Sequence, residues 1–138
     1  MSPQNIALAL VVVAAVVVAL LAIRGRPRAM QRYWRRDCGG RAWKNAFPNV
    51  PKQQIRRFLC VFVDAFAFPR ARILQFLPSD RVLTIYRALY PNKELPDALE
   101  VETLADELGK AYGVSLSEIW TKDLTLGDIF SRCVVPAA

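Results

Sequence analysis

The apolar residues of this chain form one long unbroken run, followed by several stripes at helical spacing. The run extends from Ile6 to Ile23 and contains 18 consecutive apolar residues. At a rise of about 1.5 Å per residue, a helix of this length is about 27 Å long, close to the hydrocarbon thickness of a bilayer. Because lipid offers no partner to free backbone groups, a helix is the form in which one segment crosses. The run therefore predicts a transmembrane anchor within residues 1–23.

A cleaved secretory signal peptide is the competing interpretation of this run. The first five residues carry no Lys or Arg, whereas a signal peptide begins with a basic segment. The run is also long for the apolar part of a signal peptide, and Arg24-Gly25-Arg26 stands where small residues would form a cleavage site. A buried helix of a soluble domain is a further alternative. The pattern favours the transmembrane anchor.

Three stripes of apolar residues at helical spacing follow the run. Recurrence at intervals of three and four residues places each stripe on one face of a helix. The stripes are Ile55, Phe58, Leu59, Phe62, Val63 and Phe66; Val82, Ile85, Tyr86, Leu89 and Tyr90; and Val101, Leu104, Ala105, Leu108 and Tyr112. Because each stripe needs the others to bury its apolar face, the sequence predicts an all-α fold. We expect a basic juxtamembrane linker over residues 24–50 and a small helical bundle over residues 51–138, which should fold by itself from near Pro51.

Basic residues are concentrated next to the predicted span. Residues 24–72 contain 13 Lys or Arg and two acidic residues, whereas residues 73–138 contain six basic and ten acidic residues. Basic residues collect on the cytoplasmic side of a membrane span. The chain is therefore expected to be a single-pass protein of the cell membrane, with its N-terminus outside and its C-terminal domain in the cytoplasm.

The same basic cluster predicts contact with the lipid bilayer and its anionic headgroups, at about 1 kcal/mol per well-placed basic residue. Tyr33, Trp34 and Trp43 combine apolar rings with polar tips, which suits the membrane interface. A nucleic-acid interface would use the same charges and rings, but the sequence contains no recognition motif for nucleic acid. The residues assigned to the headgroups are Arg24, Arg26, Arg28, Arg32, Arg35 and Arg36.

Residues suited to catalysis or metal binding are scarce. The chain has no histidine, which is the commonest general base and metal ligand. Cys38, Cys60 and Cys133 are widely spaced, form neither a CxxC pair nor a zinc pattern, and argue by their odd number against a disulfide framework. Asp64 interrupts an apolar neighbourhood and is expected to pair with an arginine. We therefore expect a protein that is not an enzyme and binds no metal or cofactor.

The stretch from Pro96 to Phe130 contains a capped acidic helix and the start of a last helix. Asp97 stands at an N-cap position, Glu100 lies three residues further on, and Gly113 marks the helix end. This order resembles the acyl carrier protein family, whose second helix opens with Asp-Ser-Leu and ends in an aromatic residue and glycine. The matching positions are Asp97, Leu99, Glu100, Leu104, Leu108, Tyr112, Gly113, Val114, Leu116 and the run Thr125-Leu126-Gly127-Asp128.

Two features depart from the family pattern. The serine that carries 4′-phosphopantetheine in the family falls on Ala98, and alanine has no hydroxyl with which to form the phosphodiester. The resemblance therefore implies a carrier-like fold without its prosthetic group. The second departure is a predicted helix between Pro69 and Pro96, where the family has a long loop.

The resemblance also implies a function. Carrier proteins of this family are recognised largely through the acidic second helix, so we expect a non-catalytic interaction module that docks a basic protein partner, which could be an enzyme of acyl or lipid metabolism. The expected docking residues are Asp97, Glu100, Glu102, Asp106 and Glu107. Two alternatives remain open. The chain could be an active acyl or peptidyl carrier that uses Ser79, Ser115, Ser117 or Ser131, or a basic protein that binds anionic lipid or nucleic acid.

Overall fold

The computed structural model describes residues 2–24, 28–90 and 99–134. Within these ranges the chain forms α-helices and short 3-10 helices without a β-strand, which confirms the predicted all-α class. The α-helices are α1 (Pro3–Arg24), α2 (Gln31–Trp34), α3 (Gly40–Ala46), α4 (Lys52–Ala65), α5 (Val82–Leu89), α6 (Leu99–Tyr112), α7 (Leu116–Ile119) and α8 (Leu126–Val134). The 3-10 helices are Arg28–Met30 and Arg70–Gln75.

Helix α1 is the candidate membrane segment. Its window Pro3–Leu20 has a mean hydropathy of 2.3, and none of that window is buried against the rest of the protein. Large side chains such as Leu8 and Val18, each 66% exposed, would be costly to hydrate in water. The helix is therefore long and apolar enough to cross a bilayer, a property that a signal sequence near an N-terminus shares.

Helix α4 lies at the centre of the core. It packs against α6 and the 3-10 helix Arg70–Gln75. Its predicted stripe is buried, with Phe58, Phe62 and Val63 fully inaccessible to solvent. The helix ends in a left-handed residue, Ala67, with φ of 56°, and the N–H of Phe68 donates to the carbonyl of Val63 at 2.8 Å. This Schellman-type turn directs Phe68 back onto the core, where it is 9% exposed.

Residues 28–50 fold into the core, where the sequence predicts a juxtamembrane linker. Tyr33 is 1% exposed and Trp43 is 0% exposed. The Nε1 of Trp43 donates to the carbonyl of Phe76 at 2.8 Å, and the Tyr33 ring packs on Phe76 with 5.6 Å between centroids. The prediction that Tyr33 and Trp43 lie at the membrane interface is thus corrected, because packing inside the domain buries both rings. The structure also argues against independent folding of a fragment that starts near Pro51.

A buried carboxylate connects this segment to the second half of the domain. Asp80 is 8% exposed, and Arg36 donates to its two oxygens at 2.6 and 2.9 Å. The N–H of Leu77 donates to Oδ2 of Asp80 at 2.7 Å, and the Asp80 carbonyl accepts the N–H of Leu126 at 2.9 Å. One residue thus joins the segment 28–50, the turn before α5 and the start of α8.

Two helix boundaries near the C-terminus agree with their predicted positions. Gly113 has φ of +66° after α6, and its N–H donates to the Gly109 carbonyl at 3.1 Å, which is a left-handed helix end that favours glycine. At the start of α8, the N–H of Thr125 donates to Oδ2 of Asp128, and the N–H of Asp128 donates to Oγ1 of Thr125, both at 3.1 Å. This reciprocal pair is a capping box.

Replacing Asp80 by asparagine tests the central ion pair. Asp80→Asn is expected to lower the free energy of unfolding by about 1.5–3 kcal/mol, because the amide leaves the Arg36 guanidinium without its anion. Asp123→Asn is the matched control, since Asp123 pairs with Arg81 at 3.2 Å but is 77% exposed. Its expected cost is below about 1 kcal/mol. Denaturant unfolding measures both, and equal losses would contradict this role of Asp80.

Candidate functional site

Helix α6 places the predicted docking residues in different environments. Glu102 and Asp106 are exposed, and neither forms an ion pair within the described part of the chain. Glu107 is half-buried and lies 3.9 Å from the Nζ of Lys110. Asp97, together with Ala98 at the family's serine position, lies outside the described residues. The exposed negative charge of α6 therefore lies mainly on Glu102 and Asp106.

Glu100 has a structural partner instead. The hydroxyl of Tyr90 donates to Oε1 of Glu100. This hydrogen bond connects the start of α6 to the residue that follows α5. This hydrogen bond raises the pKa of Tyr90 to about 12, because ionising the phenol would remove the bond and place two negative charges side by side. Glu100 is thus engaged in the fold and is less available to a partner than the sequence predicts.

An apolar groove lies between α5, α6 and α7, and Glu102 stands at its edge. It has a volume of about 320 Å³, within the range of ligand pockets. Glu102 and Ser117 belong to its lining, and Trp120, which follows α7, is 36% exposed. The apolar side chains of this α5–α6–α7 groove include Leu83, Val101, Ala105, Leu116 and Trp120.

The groove can recognise an apolar side chain. Among the described residues, the one charged member of its lining is Glu102, which can meet a cation next to that side chain. Among the residues that the structure describes, no group of three His, Cys, Asp or Glu could hold a metal ion. Apolar burial would supply affinity, and the carboxylates would supply attraction at longer range.

The four alternative attachment serines lie outside α6, and one of them, Ser117, lines the groove. Ser79 is exposed in the turn before α5, and Ser115 and Ser117 have their Oγ atoms 3.1 Å apart at α7. The hydroxyl of Ser131 donates to the Asp128 carbonyl at 2.7 Å. None of the four occupies the start of α6, which is where the family carries its prosthetic group.

The predicted headgroup arginines also divide. The prediction that Arg36 contacts lipid headgroups is corrected. Its guanidinium donates hydrogen bonds to Asp80, which raise the pKa of Arg36, so this side chain is not free for lipid. Arg35 is exposed, and Arg32 donates to the Tyr33 hydroxyl at 2.7 Å. The side chains of Arg24 and Arg28 and the whole of residue 26 lie outside the described parts.

The expected pairing of Asp64 with an arginine is confirmed. Arg70 donates to both of its oxygens, at 2.8 and 3.2 Å. This hydrogen bonding lowers the pKa of the Asp64 carboxyl. The side chain of Asp64 is 47% exposed and that of Arg70 is 71% exposed, so the pair contributes little to stability.

Sequence reasoning missed the wall of the groove that faces α6. Leu83 lies one position beside the predicted stripe of α5, and Trp120 stands in a short turn with no periodic neighbours. In the sequence, the groove is indicated only by large apolar residues outside the core stripes. Whether such residues line a groove depends on which helices pack next to one another.

No protein-family model, no curated protein and no solved structure matches this chain. The resemblance to the acyl carrier protein family therefore remains a prediction from the residues quoted above.

The contact between Tyr90 and Glu100 makes a pH-dependent prediction. Glu100→Gln is expected to move the Tyr90 titration from about 12 down toward the ordinary value near 10, because a neutral amide accepts the phenol hydrogen bond more weakly than the carboxylate and no longer repels the phenolate. Difference absorbance of the phenolate, with Tyr90→Phe to assign the transition, measures the shift. Glu107→Gln is the control on the same helix, and an equal shift in that variant would contradict the contact.

Proposed function

We propose that this chain is a single-pass membrane protein whose cytoplasmic domain is a non-catalytic, carrier-like docking module. It binds a protein partner through Glu102, Asp106 and the α5–α6–α7 groove. The observation that carries the proposal is that Glu102 is exposed at an apolar groove of about 320 Å³, with Asp106 one helical turn further along α6, and that neither carboxylate has an ion pair in the described ranges.

The chemistry of the groove defines the partner. A protein segment with one or two apolar side chains flanked by Lys or Arg complements both parts of the surface. Burying one such side chain contributes about 1.5–3 kcal/mol, and the carboxylates accelerate encounter more than they tighten the complex. The proposed partner is therefore a basic protein with an apolar anchor, and no group is transferred.

The anchor determines where this docking takes place. Only residues 25–27 separate α1 from the 3-10 helix that begins at Arg28. Four extended residue steps limit the distance between the Cα atoms of Arg24 and Arg28 to about 14 Å. With α1 in the bilayer and the basic residues on the cytoplasmic side, the domain acts at the inner membrane surface.

The carrier-like part of the proposal is supported by local features of the chain. Leu104 and Leu108 are buried on the inner face of α6, and Gly113 ends this helix in the left-handed conformation. The capping box of α8 stands where the family opens its last helix. Ala98 removes the attachment hydroxyl, so the proposal keeps the recognition surface of a carrier and not its prosthetic group.

Site-specific photo-crosslinking in cells tests the docking surface. A photoreactive residue at Ser117 of the full chain is expected to capture a protein, and the captured peptide should carry Lys or Arg beside an apolar residue. Glu102→Lys with Asp106→Lys is expected to lower the yield at least about tenfold, because two repulsive charges replace two attractive ones.

Two controls sharpen this experiment. The photoreactive residue at the exposed position Ala111, on α6 but outside the groove lining, should capture much less. Asp37→Lys with Asp123→Lys makes the same change in net charge at exposed positions elsewhere and should leave the yield unchanged. A captured peptide without a basic residue, or a yield that survives Glu102→Lys with Asp106→Lys, would count against the proposal.

Intact-mass measurement separates the proposal from an active carrier. After co-expression with a broad-specificity phosphopantetheinyl transferase, the wild-type chain is expected to gain no mass, because Ala98 offers no hydroxyl. A known carrier protein expressed beside it shows that the transferase is active. A mass gain that maps to Ser79, Ser115, Ser117 or Ser131 would replace the docking module with the alternative of a non-standard attachment serine.

A further inference from the structure

A second cavity lies between α3 and the first turn of α4. It has a volume of about 440 Å³. Its cationic lining residues are Arg41, Lys44, Lys52 and Arg56, and no Asp or Glu of the described chain lines it. We call this the basic cavity. It shares no lining residue with the α5–α6–α7 groove, so the following inference does not depend on the docking function.

In the described part of the chain, the four cations of the basic cavity lack the acidic partners that three arginines elsewhere have. Arg36, Arg70 and Arg81 each pair with an aspartate. None of the four cavity residues forms an ion pair within the described ranges. The Nζ of Lys44 donates to the Val50 carbonyl at 2.9 Å, which leaves two of its three N–H groups for another acceptor.

The nearest acidic residue in sequence does not neutralise this cluster. Asp37 is exposed and lines a neighbouring depression that Arg41 also borders, but the two side chains form no ion pair. Like charges that converge on one concave surface repel one another and focus a positive potential into it. A bound anion would relieve this repulsion.

We propose that the basic cavity binds a phosphate group that is carried on a larger body. Two guanidinium groups can each offer a planar pair of N–H donors to phosphate oxygens, and two ammonium groups add point charges. Trp43 and Ile55 belong to both the cavity lining and the core, where they are 0% and 4% exposed, so core packing holds this part of the lining in place. The volume exceeds the size of a bare phosphate ion, so an anionic phospholipid headgroup or a soluble phosphate monoester fits.

Cys38 provides a residue-resolved reporter of this binding. Its thiol is exposed and lines the basic cavity, so a bound phosphate compound should shield it from alkylation by N-ethylmaleimide. Cys133 lies outside the cavity, and burial raises the pKa of its thiol to about 12, so it reacts slowly and serves as the internal reference. Peptide mass spectrometry gives the alkylation rate of each cysteine separately.

The experiment uses the full chain in nanodiscs and has two arms. The first compares discs of phosphatidylcholine with discs that also contain phosphatidic acid. The second adds glycerol 3-phosphate in solution to the phosphatidylcholine discs. At a ligand concentration about ten times the Kd, alkylation of Cys38 is expected to slow about tenfold while Cys133 is unchanged. Protection in the first arm assigns a lipid source, and protection in the second assigns a soluble one.

Charge-matched variants distinguish binding in the basic cavity from nonspecific electrostatic attraction between the phosphate compound and the protein. Lys52→Gln with Arg56→Gln removes two cations of the cavity at exposed positions and is expected to abolish saturable protection of Cys38. Arg87→Gln with Lys122→Gln removes two exposed cations elsewhere and should retain it. Circular dichroism checks that each variant keeps its helical signal. Equal loss of protection in both variants, or no protection of the wild-type chain by either compound, would overturn the proposal.

Discussion

The buried carboxylate of Asp80 is the group on which the rest of the domain depends. The two terminal guanidinium nitrogens of Arg36 and the N–H of Leu77 donate to it, so neither oxygen is left without a partner. A carboxylate that is 8% exposed would cost several kcal/mol without such donors. Because Arg36 belongs to the segment 28–50 and Asp80 precedes α5, satisfying this charge joins two distant parts of the chain.

Acidic side chains of one helix serve two purposes in this fold. Glu100 accepts a hydrogen bond from Tyr90 and helps to hold α6 against the end of α5, whereas Glu102 and Asp106 remain exposed. Successive residues of a helix are separated by about 100° around its axis, so a shift of two positions is enough to move a carboxylate from a packed side to solvent. In the proposed function, the exposed pair attracts the partner and the neighbouring groove holds it.

Cationic side chains divide in a corresponding way. Arg36, Arg70 and Arg81 neutralise aspartates, while the four cations of the basic cavity converge without one in the described chain. The two proposed sites thus have opposite charge and separate linings, so a protein partner and a phosphate group could be bound together. In the proposed function, α1 is the membrane anchor and Arg28 lies within about 14 Å of its end at Arg24, so a lipid phosphate in the basic cavity would also restrict how α6 is presented at the membrane surface.

The residue pattern by itself determined the helical class, the apolar segment α1, the buried stripe of α4, the end of α6 at Gly113 and the start of α8. These features are local, because periodicity, capping and glycine turns each involve residues a few positions apart. Arg35 and Arg36 show where local information ends. They are adjacent and chemically identical, yet one is exposed and the other pairs with a carboxylate 44 positions away. Only the tertiary structure could distinguish these two arginines, because a contact over that separation depends on how the helices pack and leaves no local pattern in the sequence. For the same reason, only the tertiary structure showed that residues 28–50 belong to the core and do not form a linker.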